Sequence, residues 1–129
     1  ENIDIGGPAM LRASAKNHAF VTVITDPQDY GALMHHISSS GGTDEAFRRA
    51  MAYKAFSLTA AYDSAVHSWL AGHAGEQVPF ASHFSVNAEK TSELRYGENP
   101  HQAAAAYAIG KPVPSVLHAT QLQCCLIII

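Results

Sequence analysis

From Thr43 to Leu70 the chain is written for one uninterrupted helix, and that stretch limits the folds open to it. Thr43-Asp44-Glu45 is an N-cap pattern, with oxygen-bearing side chains set ahead of helix-forming residues. Ala50, Ala52, Ala55, Ala60, Ala61 and Ala65 then favour helix and permit a close neighbour, while Phe56 adds apolar bulk. Gly72 and Gly75 are expected to end the helix just past Leu70. From Val78 the character changes. Residues 78–86 and 93–96 alternate loosely, as strands do, and Ala103 to Ile109 reads as a further strand. The expectation is an α/β chain with its domain boundary near residues 85–92, where Asn87 to Ser92 is polar and linker-like.

Ahead of the long helix, Ile3-Asp4-Ile5-Gly6-Gly7-Pro8 reads as a strand end followed by a turn, since glycines permit unusual dihedrals and proline suits a helix start. A helix is predicted from about Pro8 to Lys16, with Met10, Leu11 and Ala15 on its apolar face and Asn17-His18 at its end. Ala19 to Thr25 is rich in β-branched residues and predicts a buried strand. Asp26-Pro27 marks a turn. Asp29-Tyr30 opens another helix to about Ser38, and Ser38 to Gly42 reads as a flexible loop.

Bulk properties narrow the function classes. At 129 residues the chain suffices for one ordinary domain with a sizeable core. Apolar residues make up 47%, charged residues 15%, and the net charge is −3, a balance that fits a globular protein. With no basic run there is little electrostatic basis for nucleic-acid binding. Cys124 and Cys125, the two cysteines, are adjacent, which makes a poor disulfide staple and predicts a reduced, cytoplasmic setting. Leu126 to Ile129 is too short to cross a bilayer, so no membrane association is expected. The first residues lack a basic segment followed by an apolar run, the pattern of a signal peptide. The start at Glu1 and the apolar Cys124 to Ile129 tail predict a piece of a longer chain, with truncation or a changed reading frame behind the tail.

Two constellations carry candidate chemistry. Asp4 and Lys16 flank the glycine turn and the first helix, an arrangement expected to bring a carboxylate and an ammonium to one cleft. Gly6 and Gly7 allow a ligand close to the backbone, and a helix N-terminus favours polar or anionic groups. A carboxylate orients or deprotonates an amine, and a lysine stabilises a developing oxyanion. A loop acid and a solvated lysine answer the same pattern. The second constellation is Arg95, Tyr96 and His101 around the turn Gly97-Glu98-Asn99-Pro100. Guanidinium groups clasp phosphates and phenols stack on heterocycles, although a surface arginine beside a half-buried tyrosine accounts for the spacing equally. The histidines follow no ligand spacing, and neither a P-loop nor a Rossmann fingerprint occurs, so no metal is expected.

Three words give these residues a context. They are Ile3-Asp4-Ile5-Gly6-Gly7 with Ala15-Lys16-Asn17-His18, then Lys54-Ala55-Phe56-Ser57-Leu58-Thr59-Ala60-Ala61-Tyr62-Asp63, and Leu94-Arg95-Tyr96-Gly97-Glu98-Asn99-Pro100-His101-Gln102. In this order they resemble the bifunctional purine-biosynthesis family that combines AICAR transformylase with IMP cyclohydrolase. The resemblance runs from residue 1 to about residue 123 and stops where Cys124-Cys125 begins. It implies that residues 1–85 are the C-terminal part of a Rossmann-like (methylglyoxal-synthase-like) cyclohydrolase domain. Residues 86–129 would then start a cytidine-deaminase-like transformylase domain. It further implies Lys16 and Asp4 as catalytic residues, with Asp4, Ile5, Arg95, Tyr96 and His101 binding substrate. Arg12 supports the site or the fold, and Phe56 and Tyr62 read as core or interface positions.

The reaction implied is formyl transfer from 10-formyltetrahydrofolate to AICAR, then cyclisation of FAICAR to IMP with loss of water, in a homodimer. The phosphate-binding loops and the transformylase lysine-histidine pair of that family fall outside these residues, so the fragment alone is expected to be inactive. A non-catalytic helical scaffold or interaction domain is the rival reading, with residues 43–70 and the apolar tail as its surface. A stand-alone cyclohydrolase is disfavoured by the word that contains Arg95.

Overall fold

In the computed structural model, residues 2–73, 82–109 and 125–128 are described, the last four as backbone only. The chain divides into two compact units, Glu1–Gln77 and Val78–Ile129. Helices make the first and an antiparallel sheet the second, which places the chain in the α/β class expected.

In the first unit, α1 (Gly6–Lys16) starts two residues earlier than predicted. Pro8 sits in its first turn, where a missing N–H forfeits no helical bond. The Asn17 N–H closes the far end onto Ala13 and Ser14 carbonyls. A 3-10 turn at Pro27–Asp29, begun by the Asp26 carboxylate accepting from Gln28 N at 2.9 Å, leads into α2 (Tyr30–Ser40). α2 outruns the sequence reading because Ser38 and Ser39 hydroxyls donate back to the His35 carbonyl instead of opening a loop. Gly41, at φ 71°, supplies the left-handed stop.

The long helix, α3 (Glu45–His73), begins as expected: Asp44 Oδ1 accepts from Phe47 N at 2.7 Å. It ends later than expected. Gly72 is carried within its last turn, since one glycine costs only about 1 kcal/mol against alanine in a helix interior.

The core lies where α1 meets α3. Ala15, Ala52, Ala55 and Val23 form its buried cluster, with Leu11 packed against it, and Met51 and Thr59 are buried on the same helix. Met51, Ala52, Ala55 and Thr59 recur at helical spacing, so one stripe of α3 is covered. Alanine at Ala52 and Ala55, facing Ala15 of α1, lets the helix backbones approach closely. Arg48 fastens the corner, its guanidinium donating to the carbonyls of His18 and Thr43. Lys54 grips both carboxylate oxygens of Asp29 at 2.7 Å.

The strand predicted for residues 19–25 is not formed. Phe20 and Val21 N–H groups turn back onto the Asn17 carbonyl, and the Thr22 hydroxyl bonds Thr43 at 2.6 Å. A strand needs a neighbouring ladder, and among the described residues of this unit none lies beside the segment. Val23 is nevertheless buried, so the apolar reading of that segment holds at one position.

The second unit is a three-stranded antiparallel sheet in the order β1 (Ala88–Leu94), β2 (Ala104–Ile109), β3 (Cys125–Ile128). Its first strand corrects the linker expected at Asn87 to Ser92. Polar side chains belong on an edge strand that is exposed almost throughout, and β2 supplies the backbone partners. Strand structure read at 93–96 continues only to Leu94, and residues 82–87 carry none. Residues 78–81 of that same expectation lie outside the described residues, as does Gly75. The tail read as an exposed end is strand β3 over Cys125–Ile128, with Tyr107 opposite Leu126.

Candidate functional sites

The segment ahead of α1 is held by backbone chemistry. Asp4 N–H donates to the Tyr62 hydroxyl at 2.7 Å, a link across 58 positions of sequence, and Asp4 Oδ1 accepts from Gly7 N at 3.2 Å. The carboxylate thereby caps an otherwise unpaired first-turn donor at the positive end of α1. Ile5, the residue just before the helix, accepts from Ala9 N at 3.0 Å and leaves its side chain 73% exposed.

Two open clefts adjoin this turn. One, of about 450 Å³, is lined by Asp4, Gly7, Met10, Leu11, Thr59 and Tyr62. The other, of about 470 Å³, has Ile3, Asp4, Ile5, Arg12, Tyr62 and Asp63 among its walls. Lys16 lines neither. It stands at the opposite end of α1, about 15 Å along the axis from Gly6 at the usual rise of ~1.5 Å per residue. The expectation that the turn and helix bring Asp4 and Lys16 to one cleft is therefore corrected: an intact helix keeps its two ends apart. An exposed lysine in the last turn also favours the helix dipole without any ligand.

Arg12 is a cation that does reach an Asp4 cleft, the second of the two. Its guanidinium lies 5.4 Å from the centre of the Phe56 ring, a cation–π distance that fixes its position beside the turn. Sequence reasoning gave Arg12 a supporting place and set Tyr62 among core residues. The Tyr62 signal was available in its chemistry, since a half-buried phenol needs a polar partner, but not the identity of that partner. His18, from the same word as Lys16, buries Nδ1 without a hydrogen-bond partner among the described residues.

In the second unit, residues 95–103 connect β1 to β2. Gly97 N donates to the Gln102 carbonyl at 2.9 Å, Gln102 N to the Asn99 carbonyl at 3.0 Å, and Asn99 N to Gln102 Oε1 at 2.9 Å. This closed loop carries Arg95, Tyr96 and His101 at one end of the hairpin. All three are exposed, with Tyr96 at 50%. The Asp4 turn and this loop belong to separate units. Among the described residues, no group of three or more His, Cys, Asp or Glu side chains is placed to hold a metal ion, and no helix is long and apolar enough to cross a membrane.

Comparison with known proteins gives these words a common origin. The family described as AICARFT/IMPCHase bienzyme matches residues 14–125. The chain is 51% identical over 123 residues to the "Bifunctional purine biosynthesis protein PurH" of Parvibaculum lavamentivorans, covering 95% of this chain and 22% of that protein. Its likeness to proteins of the same description is 52% over 123 residues in Sinorhizobium fredii and 52% over 124 in Paracoccus denitrificans. Those alignments cover 95% of this chain with 22% and 23% of the relatives. The chain thus spans less than a quarter of the length of the relatives it matches.

Proposed function

The chain belongs to the AICARFT/IMPCHase bienzyme family, and on that footing we propose that it supplies parts of two nucleotide sites in purine biosynthesis. Residues 1–85 close a Rossmann-like cyclohydrolase domain, and residues 86–129 open a deaminase-like transformylase domain. The complete protein transfers a formyl group from 10-formyltetrahydrofolate to AICAR and cyclises FAICAR to IMP with release of water. It works in the cytoplasm as a homodimer.

In the cyclohydrolase site Asp4 and Ile5 contact the nucleotide, the carboxylate through Oδ2, which has no hydrogen-bond partner among the described residues. Ring closure joins an amide nitrogen to the formyl carbon. A carboxylate such as Asp4 serves that step by orienting the N–H and taking its proton, or an ammonium such as Lys16 by offsetting charge on the formyl oxygen. With Lys16 at the far end of α1, about 15 Å along its axis from Gly6, only one of the two faces the closing bond, and the other meets a different part of the nucleotide. In the transformylase site Arg95 pairs with the AICAR phosphate and Tyr96 packs on or bonds to its ring, with His101 alongside.

The observation that carries this reading is the family match over residues 14–125, beside which stand the helix-capping turn at Asp4 and the closed loop after Arg95. Calorimetric titration with IMP and with AICAR tests it. Weak, saturable binding is expected, with IMP binding reduced by Lys16→Ala and AICAR binding by Arg95→Ala. Absence of saturable binding of either nucleotide by the folded chain leaves the scaffold reading in its place.

A further inference from the structure

We propose that Tyr62 is a positioning residue of the nucleotide site, holding the Asp4 turn against α3 by accepting the Asp4 N–H; this rests on the reading above that Asp4 and Ile5 contact the nucleotide. The segment that carries both residues is exposed and lies outside any helix or strand, so its place must be set from elsewhere. Tyr62 does this from the most firmly anchored element of its unit. It follows Thr59 by three residues and Ala55 by seven, both 1% exposed, so its side chain leaves α3 on the stripe that faces α1. The 2.7 Å bond from Asp4 N is short and spans 58 positions. It complements the 3.2 Å bond from Gly7 N to Asp4 Oδ1. One bond places the Asp4 backbone and the other places its carboxylate.

The direction of the first bond matters. Because the Tyr62 oxygen accepts, its own proton remains to be donated. No acceptor for that proton lies among the described residues, and Tyr62 lines both clefts together with Asp4. A nucleotide bound beside Asp4 thus meets a phenol donor and a carboxylate acceptor held to one another, a complementary pair for the edge of a carboxamide or a purine.

The test uses the ¹⁵N-labelled chain, Tyr62→Phe, and Tyr53→Phe as the control that removes an exposed hydroxyl from the same helix. Tyr62→Phe is expected to move the Asp4 amide resonance upfield and speed its exchange. It should also weaken IMP binding roughly three- to tenfold, the range that one ordinary hydrogen bond implies. Tyr53→Phe leaves both unchanged. Unfolding midpoints of the two variants should agree, which separates positioning from loss of fold. Wild-type IMP affinity in Tyr62→Phe, with binding still reduced by Lys16→Ala, overturns the positioning role and leaves the functional reading standing. A wild-type chain that shows the Asp4–Tyr62 bond by amide exchange yet binds no IMP overturns the functional reading, and this role with it.

Discussion

Gly7 lies directly beneath the carboxylate of Asp4, so closely that a β-carbon at Gly7 would collide with Asp4 Oδ2. Neighbouring Gly6 has open space where its β-carbon would stand. The two glycines of one turn therefore differ in kind. Gly7→Ala is expected to push the exposed Asp4 carboxylate off the helix end and break its bond from Gly7 N, costing about 0.5–1.5 kcal/mol, the usual value of one hydrogen bond. Gly6→Ala should be neutral or stabilise by up to about 1 kcal/mol, since alanine suits a helix better than glycine. Urea unfolding of both variants decides the matter; equal effects would mean that the carboxylate does not rest on Gly7.

Arg48 joins the turn after α1 to the start of α3 by donating to two backbone carbonyls, those of His18 and Thr43. Methionine preserves the apolar stem and removes both donors. Arg48→Met is expected to lower stability by about 2–3 kcal/mol, as hydrogen bonds from a charged donor carry ~1.5–3 kcal/mol each and water recovers part of the loss. Arg49→Met removes a guanidinium paired with Glu45 on an exposed helix face and should cost below about 1 kcal/mol. Thermal unfolding of the pair provides the comparison.

How much the sequence disclosed depended on whether the cause was local. The start of α3 was legible because Asp44 bonds a donor three residues away, and the end of α1 because Asn17 turns back within its own last turn. Residues 19–25 misled because β-branched side chains signal a preference for pleated surroundings and carry no information about a partner strand. The polar run at 87–92 misled in the opposite sense, since an edge strand needs no apolar face to be paired. For the site, the Asp4 turn and the Arg95 loop were legible as words. Which groups surround Asp4 was not, because the Tyr62 bond to its N–H and the Arg12 contact with Phe56 beside it depend on the packing of α3 on α1, a contact between distant segments.

The alanines of that packing make a prediction of their own. Ala55 is 1% exposed in the α1–α3 contact, whereas Ala50 is exposed on the same helix. Leucine is nearly as good a helix former as alanine, so exchanging one for the other isolates the space available. Ala55→Leu is expected to destabilise by about 1–3 kcal/mol and to disturb the Leu11 and Ala15 resonances across the contact. Ala50→Leu should stay within about 0.5 kcal/mol of wild type. A neutral Ala55→Leu would show that α1 and α3 do not meet closely there.

In the sheet, a bulge brings Lys90 and Glu93 together. Residues three apart on a regular strand point to opposite faces. Here Lys90 pairs with Tyr107 and Ser92 with Ala106, so Thr91 is the extra residue and the alternation slips by one. The Thr91 hydroxyl donates to the Ala106 carbonyl at 3.1 Å, patching the interrupted ladder, and Lys90 Nζ reaches Glu93 Oε1 at 2.9 Å. That hydrogen bond, with the lysine charge behind it, holds the Glu93 carboxyl below its ordinary range. A carboxyl so lowered favours the folded chain above its unfolded value, and the contribution is lost as pH falls through the lowered one. Glu93 lies in solvent, so the readout is the titration itself rather than stability. Carbon-detected titration of Glu93 is expected to give a midpoint below that of an unpaired glutamate, returning to the ordinary range in Lys90→Ala and moving toward it in 1 M salt, where the Debye length falls to ~3 Å. Deleting Thr91 should have the same effect as removing the lysine, because a regular strand turns the two side chains apart. A Glu93 midpoint unmoved by either change would mean that the bulge does not bring them together in solution.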